Sequence, residues 1–263
     1  MTARTVTSLS NPTVKAVRAL HLRKAREESG LFLAEGLKIV TEAVELGHAP
    51  RILLHGPDAA EHPLLKRAAA AATAAGGEVL EVNREILEKV SRRDNPQTVV
   101  GVFAQAFTAL EAIDPGAAQV WVALQQVRDP GNLGTVVRTA DAAGCGGVIL
   151  VGDCCDPYSV EAVRATMGSI FAVPIARAAN AEFLAWRQGW PGAVVGTLLS
   201  ATTDYRHANY RRPCLILMGS EQAGLPPEFA AACDIAVKIP MRGRADSLNL
   251  SVASGIMIYA ATQ

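Results

Sequence analysis

Between Val120 and Ala261, short apolar runs recur with helical stretches between them, and this alternation limits the possible folds more than any other feature of the chain. The runs at Val120–Leu124, Val148–Val151, Phe171–Ile175, Val194–Leu198, Leu215–Met218 and Ile235–Ile239 are almost continuously apolar, as strands buried on both faces must be. Helical patterns lie between most of them: about Leu133–Ala143, stopped by Gly144, then Val160–Met167, Ala181–Arg187, Pro227–Cys233, and a last helix from about Ser247 to Ala261. Such alternation predicts an α/β domain with a parallel sheet covered by helices.

The first half reads as a smaller α/β unit. It runs through a helix Glu35–Leu46 stopped by Gly47, a strand Arg51–Leu54, an alanine-rich helix Leu64–Ala75, a strand Val79–Val82, a helix near Glu85–Val90 and a strand Val99–Ala104. Phe107–Ala118 then loses periodicity and carries Pro115 and Gly116, which marks a linker. With 263 residues, two modest domains are expected, over 1–110 and 118–263.

Charge and cysteine content exclude several functions. The 25 basic and 25 acidic side chains balance, so wholesale electrostatic capture of nucleic acid is not expected. Basic residues nevertheless collect near the start, where Arg4, Lys15, Arg18, Arg23, Lys24 and Arg26 all precede the first acid, Glu27. No apolar run approaches about 18 residues and the opening segment is polar, so neither a membrane span nor a secretory leader is expected. Five cysteines, Cys145, Cys154, Cys155, Cys214 and Cys233, form no C-x-x-C pair, which fits a reducing cytoplasm better than a disulfide framework. His48, His55 and His62 recur every seven residues without acidic partners, so no metal site is expected. The glycine fingerprints of dinucleotide and P-loop sites and the G-x-S-x-G elbow are missing.

Three polar, glycine-marked segments remain, each after an apolar strand. The first, Leu124 to Arg138, turns at Pro130-Gly131 and offers Asn132 as a helix cap. The second, Leu217 to Pro226, places the carboxylate of Glu221 near the apex of a sharp turn. The third, Ile239 to Gly255, sets Ser247 and Asn249 at the start of the last helix, where backbone N–H groups converge. All three lie at carboxyl ends of strands, where open parallel sheets bind ligands.

Together these segments resemble the SpoU (TrmH-like) branch of the SPOUT RNA ribose 2′-O-methyltransferases. The first is similar to D-P-x-N-x-G followed by arginine, in Asp129, Pro130, Asn132, Gly134 and Arg138. The second resembles G-S/N-E-G-x-G-L, in Gly219, Ser220, Glu221, Gly224 and Leu225, and the third I-P-M-x-G-x-x-x-S-L-N-V-S-V-A, in Ile239, Pro240, Met241, Gly243, Ser247, Leu248, Asn249, Ser251 and Ala253. Gln222 departs from a common glycine and Leu250 from a common valine. Ser8–Lys15, Phe32–Gly36 and Pro96–Gly101 resemble the L30e-like RNA-binding domain that precedes the catalytic domain in this family.

The resemblance implies a C-terminal domain with a deep trefoil knot, a homodimer packed through that domain, and S-adenosylmethionine as methyl donor without a metal. It assigns Thr197, Leu198, Gly219, Ile239, Met241, Ser247 and Leu248 to the cofactor, and Arg138, Asn132, Glu221, Ser247 and Asn249 to catalysis. RNA contacts are expected from Lys15, Arg18, Arg23, Lys24, Arg26, Arg242 and Arg244. With three Trp, four Tyr and six Phe there is no evident stacking platform, so shape and phosphate contacts should dominate recognition. Ribosomal RNA is favoured over tRNA as substrate by family analogy. Two other readings stay open: a non-catalytic RNA-binding protein on the same fold, and a nicotinamide-dependent oxidoreductase, which lacks its glycine fingerprint here.

Overall fold

Asn11 opens the first helix of the computed structural model, which describes residues 3–263. Its side chain accepts hydrogen bonds from the N–H of Thr13 (2.9 Å) and of Val14 (3.3 Å), and Pro12 occupies the first helical position, where no N–H is needed. In chain order the first unit contains β1 (Arg4–Val6), α1 (Pro12–Ala19), α2 (Arg23–Ser29), β2 (Leu31–Glu35), α3 (Leu37–Glu45), β3 (Ile52–His55), α4 (Pro63–Ala74), β4 (Glu78–Val82), α5 (Arg84–Ser91) and β5 (Val99–Ala104). Its sheet runs β1-β4-β3-β5-β2, with β1, β4 and β3 parallel and β5 antiparallel to both neighbours. Val14 and Val17 of α1 join Leu54, Leu80, Ile86, Val90 and Val100 in the core of this unit.

The chain then builds β6 (Val120–Gln125), α6 (Pro130–Ala142) and β7 (Val148–Val151) of a second sheet before returning to the first unit as α7 (Val160–Thr166). After that come β8 (Ile175–Ala178), α8 (Asn180–Arg187), β9 (Val194–Thr197), β10 (Thr203–Asp204), β11 (Cys214–Met218), α9 (Pro227–Ala231), β12 (Ile235–Lys238) and α10 (Leu250–Ala261). The second sheet is parallel throughout, in the order β10-β12-β9-β11-β6-β7-β8. Phe183, Phe229, Leu215, Leu217, Ile149 and Trp121 pack in one core of this unit.

The return of α7 differs from the unbroken second domain expected over 118–263: Tyr158–Phe171 belongs to the first unit. Its apolar residues explain why. Val160 enters the first unit's core, and Tyr158 and Phe171 pack on Phe32 with ring centroids 4.6 and 5.6 Å away. Because Phe171 is taken up there, the strand expected at Phe171–Ile175 starts only at Ile175, after a 3₁₀ turn over Ser169–Phe171. Arg164 of α7 donates from Nη2 to both oxygens of Glu35 at 2.7 Å and from Nε to Oε2 at 3.3 Å. The Glu35 side chain is only 2% exposed, so this cation is what makes its burial tolerable.

Beside this pair, the Nε2 of His21 lies 2.6 Å from the carbonyl of Val90, a contact that requires the tautomer with its proton on Nε2. Burial lowers the His21 pKa; the Val90 bond and Glu35 oppose this, while the cations of Arg92 and Arg164 add to it. The unfolded chain therefore binds a proton near pH ~6.5 that the folded chain resists, so stability from neutral His21 is full above that pH and falls as pH drops below it. His21→Gln keeps an N–H donor and should flatten the decline of Tm between about pH 7 and 5. An unchanged slope would show that other groups set the acid sensitivity.

Candidate active site

The spacing of the first motif follows from helix capping. Asp129 is the N-cap of α6 and accepts from the N–H of Asn132 at 2.6 Å, while Pro130 takes the first helical position. Asn132 thus sits in the first turn, and its side chain bridges the other two motifs. Its Nδ2 donates to Glu221 Oε1 at 3.1 Å, and its Oδ1 accepts from Asn249 Nδ2 at 2.9 Å. The carboxylate can only accept, which fixes the amide orientation of Asn132 and makes Asn249 the donor on its other side. Asn249 is itself the N-cap of α10, its Oδ1 accepting from Ser251 N at 2.9 Å, Val252 N at 3.3 Å and Ser251 Oγ at 2.6 Å. The last helix thus begins at Leu250, three residues later than the sequence pattern indicates, and Ser247 lies in the loop before it, its Oγ 3.3 Å from Asp246 Oδ1.

A cleft of about 480 Å³ opens at the carboxyl ends of β9, β11 and β12, roomy enough for a small-molecule ligand. Thr197, Leu198, Gly219, Ile239, Met241, Ser247 and Leu248 all line it, as does Glu221. Sequence reasoning missed Leu199, Lys238 and Asp246 in the same lining. Their signal was present, since each is one residue from a residue already singled out.

Gly219 shapes the floor. A Cβ on it would fall 2.1 Å from the Gly224 carbonyl carbon and 2.3 Å from the Leu225 nitrogen, both backbone atoms. The turn closes where Ser220 and Gly224 exchange N–H···O bonds of 3.2 and 3.0 Å, with Gly224 at φ +66°, a conformation glycine adopts without penalty. Gln222 lines the cleft at this turn, but its φ is not positive, so the backbone does not demand glycine there.

Arg138 is exposed on α6, six residues beyond Asn132, and among the described residues its guanidinium has no hydrogen-bond or ion-pair partner. Arg242 and Arg244 are exposed in the loop between β12 and α10. The N-terminal cations are less uniform than their clustering in sequence suggests. Lys15 is exposed, but Arg23 pairs with Glu27 at 2.7 Å and Lys24 with Glu28 at 3.8 Å. Arg26 must be removed from the candidate RNA contacts: it is 4% exposed and donates to the carbonyl of Leu20 at 2.8 Å, holding the end of α1.

Cys155 stands near the first two motifs. Burial, followed by Cys154 and the carboxylates of Asp129 and Glu221, pushes its thiol up to about 12, so it carries no thiolate for covalent catalysis at neutral pH. Among the described residues no group of three or more His, Cys, Asp and Glu is placed to hold a metal ion, and no helix is long and apolar enough to cross a membrane.

Known proteins share the fold. The model of the SpoU rRNA Methylase family matches residues 119–259. The chain belongs to this family. The MRM3-like substrate binding domain matches residues 11–101 of the same SpoU-family chain. Over 99% of its length it is 30% identical to the 23S rRNA (uridine(2479)-2′-O)-methyltransferase of Streptomyces viridochromogenes, covering 92% of that protein. The 23S rRNA (guanosine(2553)-2′-O)-methyltransferase of Bacillus subtilis is 28% identical, with 97% of each chain covered. The AdoMet-bound crystal structure of an rRNA methyltransferase from Sinorhizobium meliloti superposes with a TM-score of 0.93 at 50% identity, over 98% of this chain and 97% of that one.

Proposed function

We propose that this protein transfers a methyl group from S-adenosylmethionine to a ribose 2′-hydroxyl of structured RNA, with ribosomal RNA the favoured substrate. The observation that carries the reading is the run from Asn249 through Asn132 to Glu221, which ties three distant motifs into one polar array beside one cleft. The cleft residues fit the cofactor: Leu198, Leu248 and Leu250 offer apolar walls, and the strand-end backbone at Thr197, Gly219 and Ile239 offers polar groups for a nucleoside edge. When bound, S-adenosylmethionine supplies a methyl group already activated on a sulfonium.

The residues of the chain then have to orient the acceptor hydroxyl and manage its proton. A guanidinium holds its proton in proteins, so Arg138 serves as an orienting and charge-stabilising group for the developing alkoxide, with the proton passing to phosphate or water. Holding hydroxyl and methyl in line contributes up to roughly 7–11 kcal/mol to such reactions, which makes position matter more than basicity. Asn132 and Glu221 keep the first turn of α6 registered against the motif turn, and Ser247 and Asn249 organise the approach to α10.

Two finer features belong to the same reading. The insertion of β11 between β9 and β6, and of β12 between β10 and β9, supports a knotted chain path. Val252 and Tyr259, about half exposed on α10, leave apolar surface through which a homodimer could pack. A ribosomal RNA substrate fits an enzyme working in the cytoplasm.

The test is transfer of labelled methyl from S-adenosylmethionine to unmodified total RNA, with products mapped by alkaline cleavage, which a 2′-O-methyl blocks. Alkali-resistant label in one ribosomal RNA species is the expected result. Label in tRNA would move the substrate, label on a base would overturn the ribose chemistry, and failure to bind the cofactor would return the chain to a binding role.

A further inference from the structure

Resting on the RNA reading above, we infer that the first unit grips RNA backbone phosphate in a cleft of about 370 Å³ where α1 packs on α5, using Arg18, Lys89, Arg92 and Arg93. Arg18 comes from the last turn of α1, and the other three from the end of α5 and the loop after it. None of these four cations forms an ion pair or side-chain hydrogen bond among the described residues. Elsewhere in the unit pairing is the rule: Arg4 with Glu78, Lys38 with Glu42, Lys66 with Glu61, Arg67 with Glu45 and Arg84 with Glu88. Unpaired cations are therefore concentrated at one place.

Charge at helix ends does not account for this concentration. A helix C-terminus carries about half a negative charge, so two such ends call for roughly one cation. Here four cations face the carboxylates of Glu88 and Asp94, and Glu88 is already held by Arg84 at 2.8 Å. The cleft is left cationic and open. Arg92 adds a second indication. It ends α5 at φ +54°, the left-handed conformation that glycine or asparagine usually fills, so the chain accepts backbone strain to keep an arginine there.

The experiment compares binding of an in vitro transcript of 23S rRNA by the full-length wild type, by K89Q/R92G/R93Q, and by a control, K38Q/K66Q/R67Q, that removes equal charge from paired positions of the same unit. Each phosphate contact contributes about 0.7–0.9 to the slope of log K against log salt. The cleft variant should lose about 2 from that slope and bind at least about tenfold more weakly at ~100 mM KCl, with the control close to wild type. Equal weakening of both variants, or none in the cleft variant, would overturn the proposal while leaving the RNA reading intact. A wild type that fails to bind the transcript would overturn both. Arg92→Gly alone should hold or raise Tm while weakening binding, because glycine relieves the strain; a lowered Tm with unchanged RNA affinity would assign Arg92 to structure only.

Discussion

Replacing Arg138 with alanine is expected to lower kcat/KM for methyl transfer by about 10²–10³ while leaving S-adenosylmethionine affinity unchanged, the loss typical of removing one group that stabilises charge in a transition state. The expectation comes from where Arg138 stands. It is carried on the helix whose first turn holds Asn132, it is exposed, and it is committed to no acid or carbonyl among the described residues. An arginine that stabilised the fold would be expected to show such a partner, as Arg164 does with Glu35. Lysine at the same position keeps the charge but loses the planar fork. Arg138→Lys should therefore recover only part of the activity in a single-turnover assay, and turnover equal to wild type would show that a point charge is sufficient. Retention of wild-type turnover by the alanine variant would remove Arg138 from the reaction.

Gly219→Ala should weaken cofactor binding by roughly 5- to 150-fold, equivalent to about 1–3 kcal/mol of overpacking. The added methyl would collide with the backbone of Gly224 and Leu225, and backbone yields less readily than a side-chain tip. Relief would require opening the paired N–H···O bonds between Ser220 and Gly224, and with them the wall of the cleft. Calorimetric titration with S-adenosylmethionine, alongside Tm, separates a distorted cleft from a lost fold. Gln222→Gly at the same turn should change affinity little, since Gln222 already has an ordinary φ. Unimpaired binding by the alanine variant would place the cofactor elsewhere.

The two halves of the chain differ in how much of their structure could be read in advance. Strands β6, β7, β9 and β11 of the second unit were legible because they are apolar and buried along nearly their whole length, and the ends of β9 and β11 located part of the cleft lining. β1 and β10, of three and two residues, are too short to carry a period, and β2 merges with the helix that follows it across Gly36. The path of α7 into the first unit is a tertiary choice made by Tyr158, Phe171 and Arg164, whose partners lie more than 120 residues earlier in Phe32 and Glu35. Charge was the least legible property. Arg26 counts as a surface cation in sequence and is buried in the fold, whereas Lys89, Arg92 and Arg93 gain their meaning only when α5 lies against α1.

The return of Tyr158–Phe171 also bears on how this protein can be engineered or recombined. A cassette cut at the linker and fused to another catalytic module would leave behind the segment whose Arg164 neutralises Glu35 and whose Tyr158 and Phe171 cover Phe32. Its recipient would inherit a buried charge with no counterion and an aromatic surface open to water. Grafts of the substrate-binding unit must therefore take two separate stretches of the gene, and exchange by a single crossover between relatives should yield folded chimeras only when both parents pack this segment in the same way.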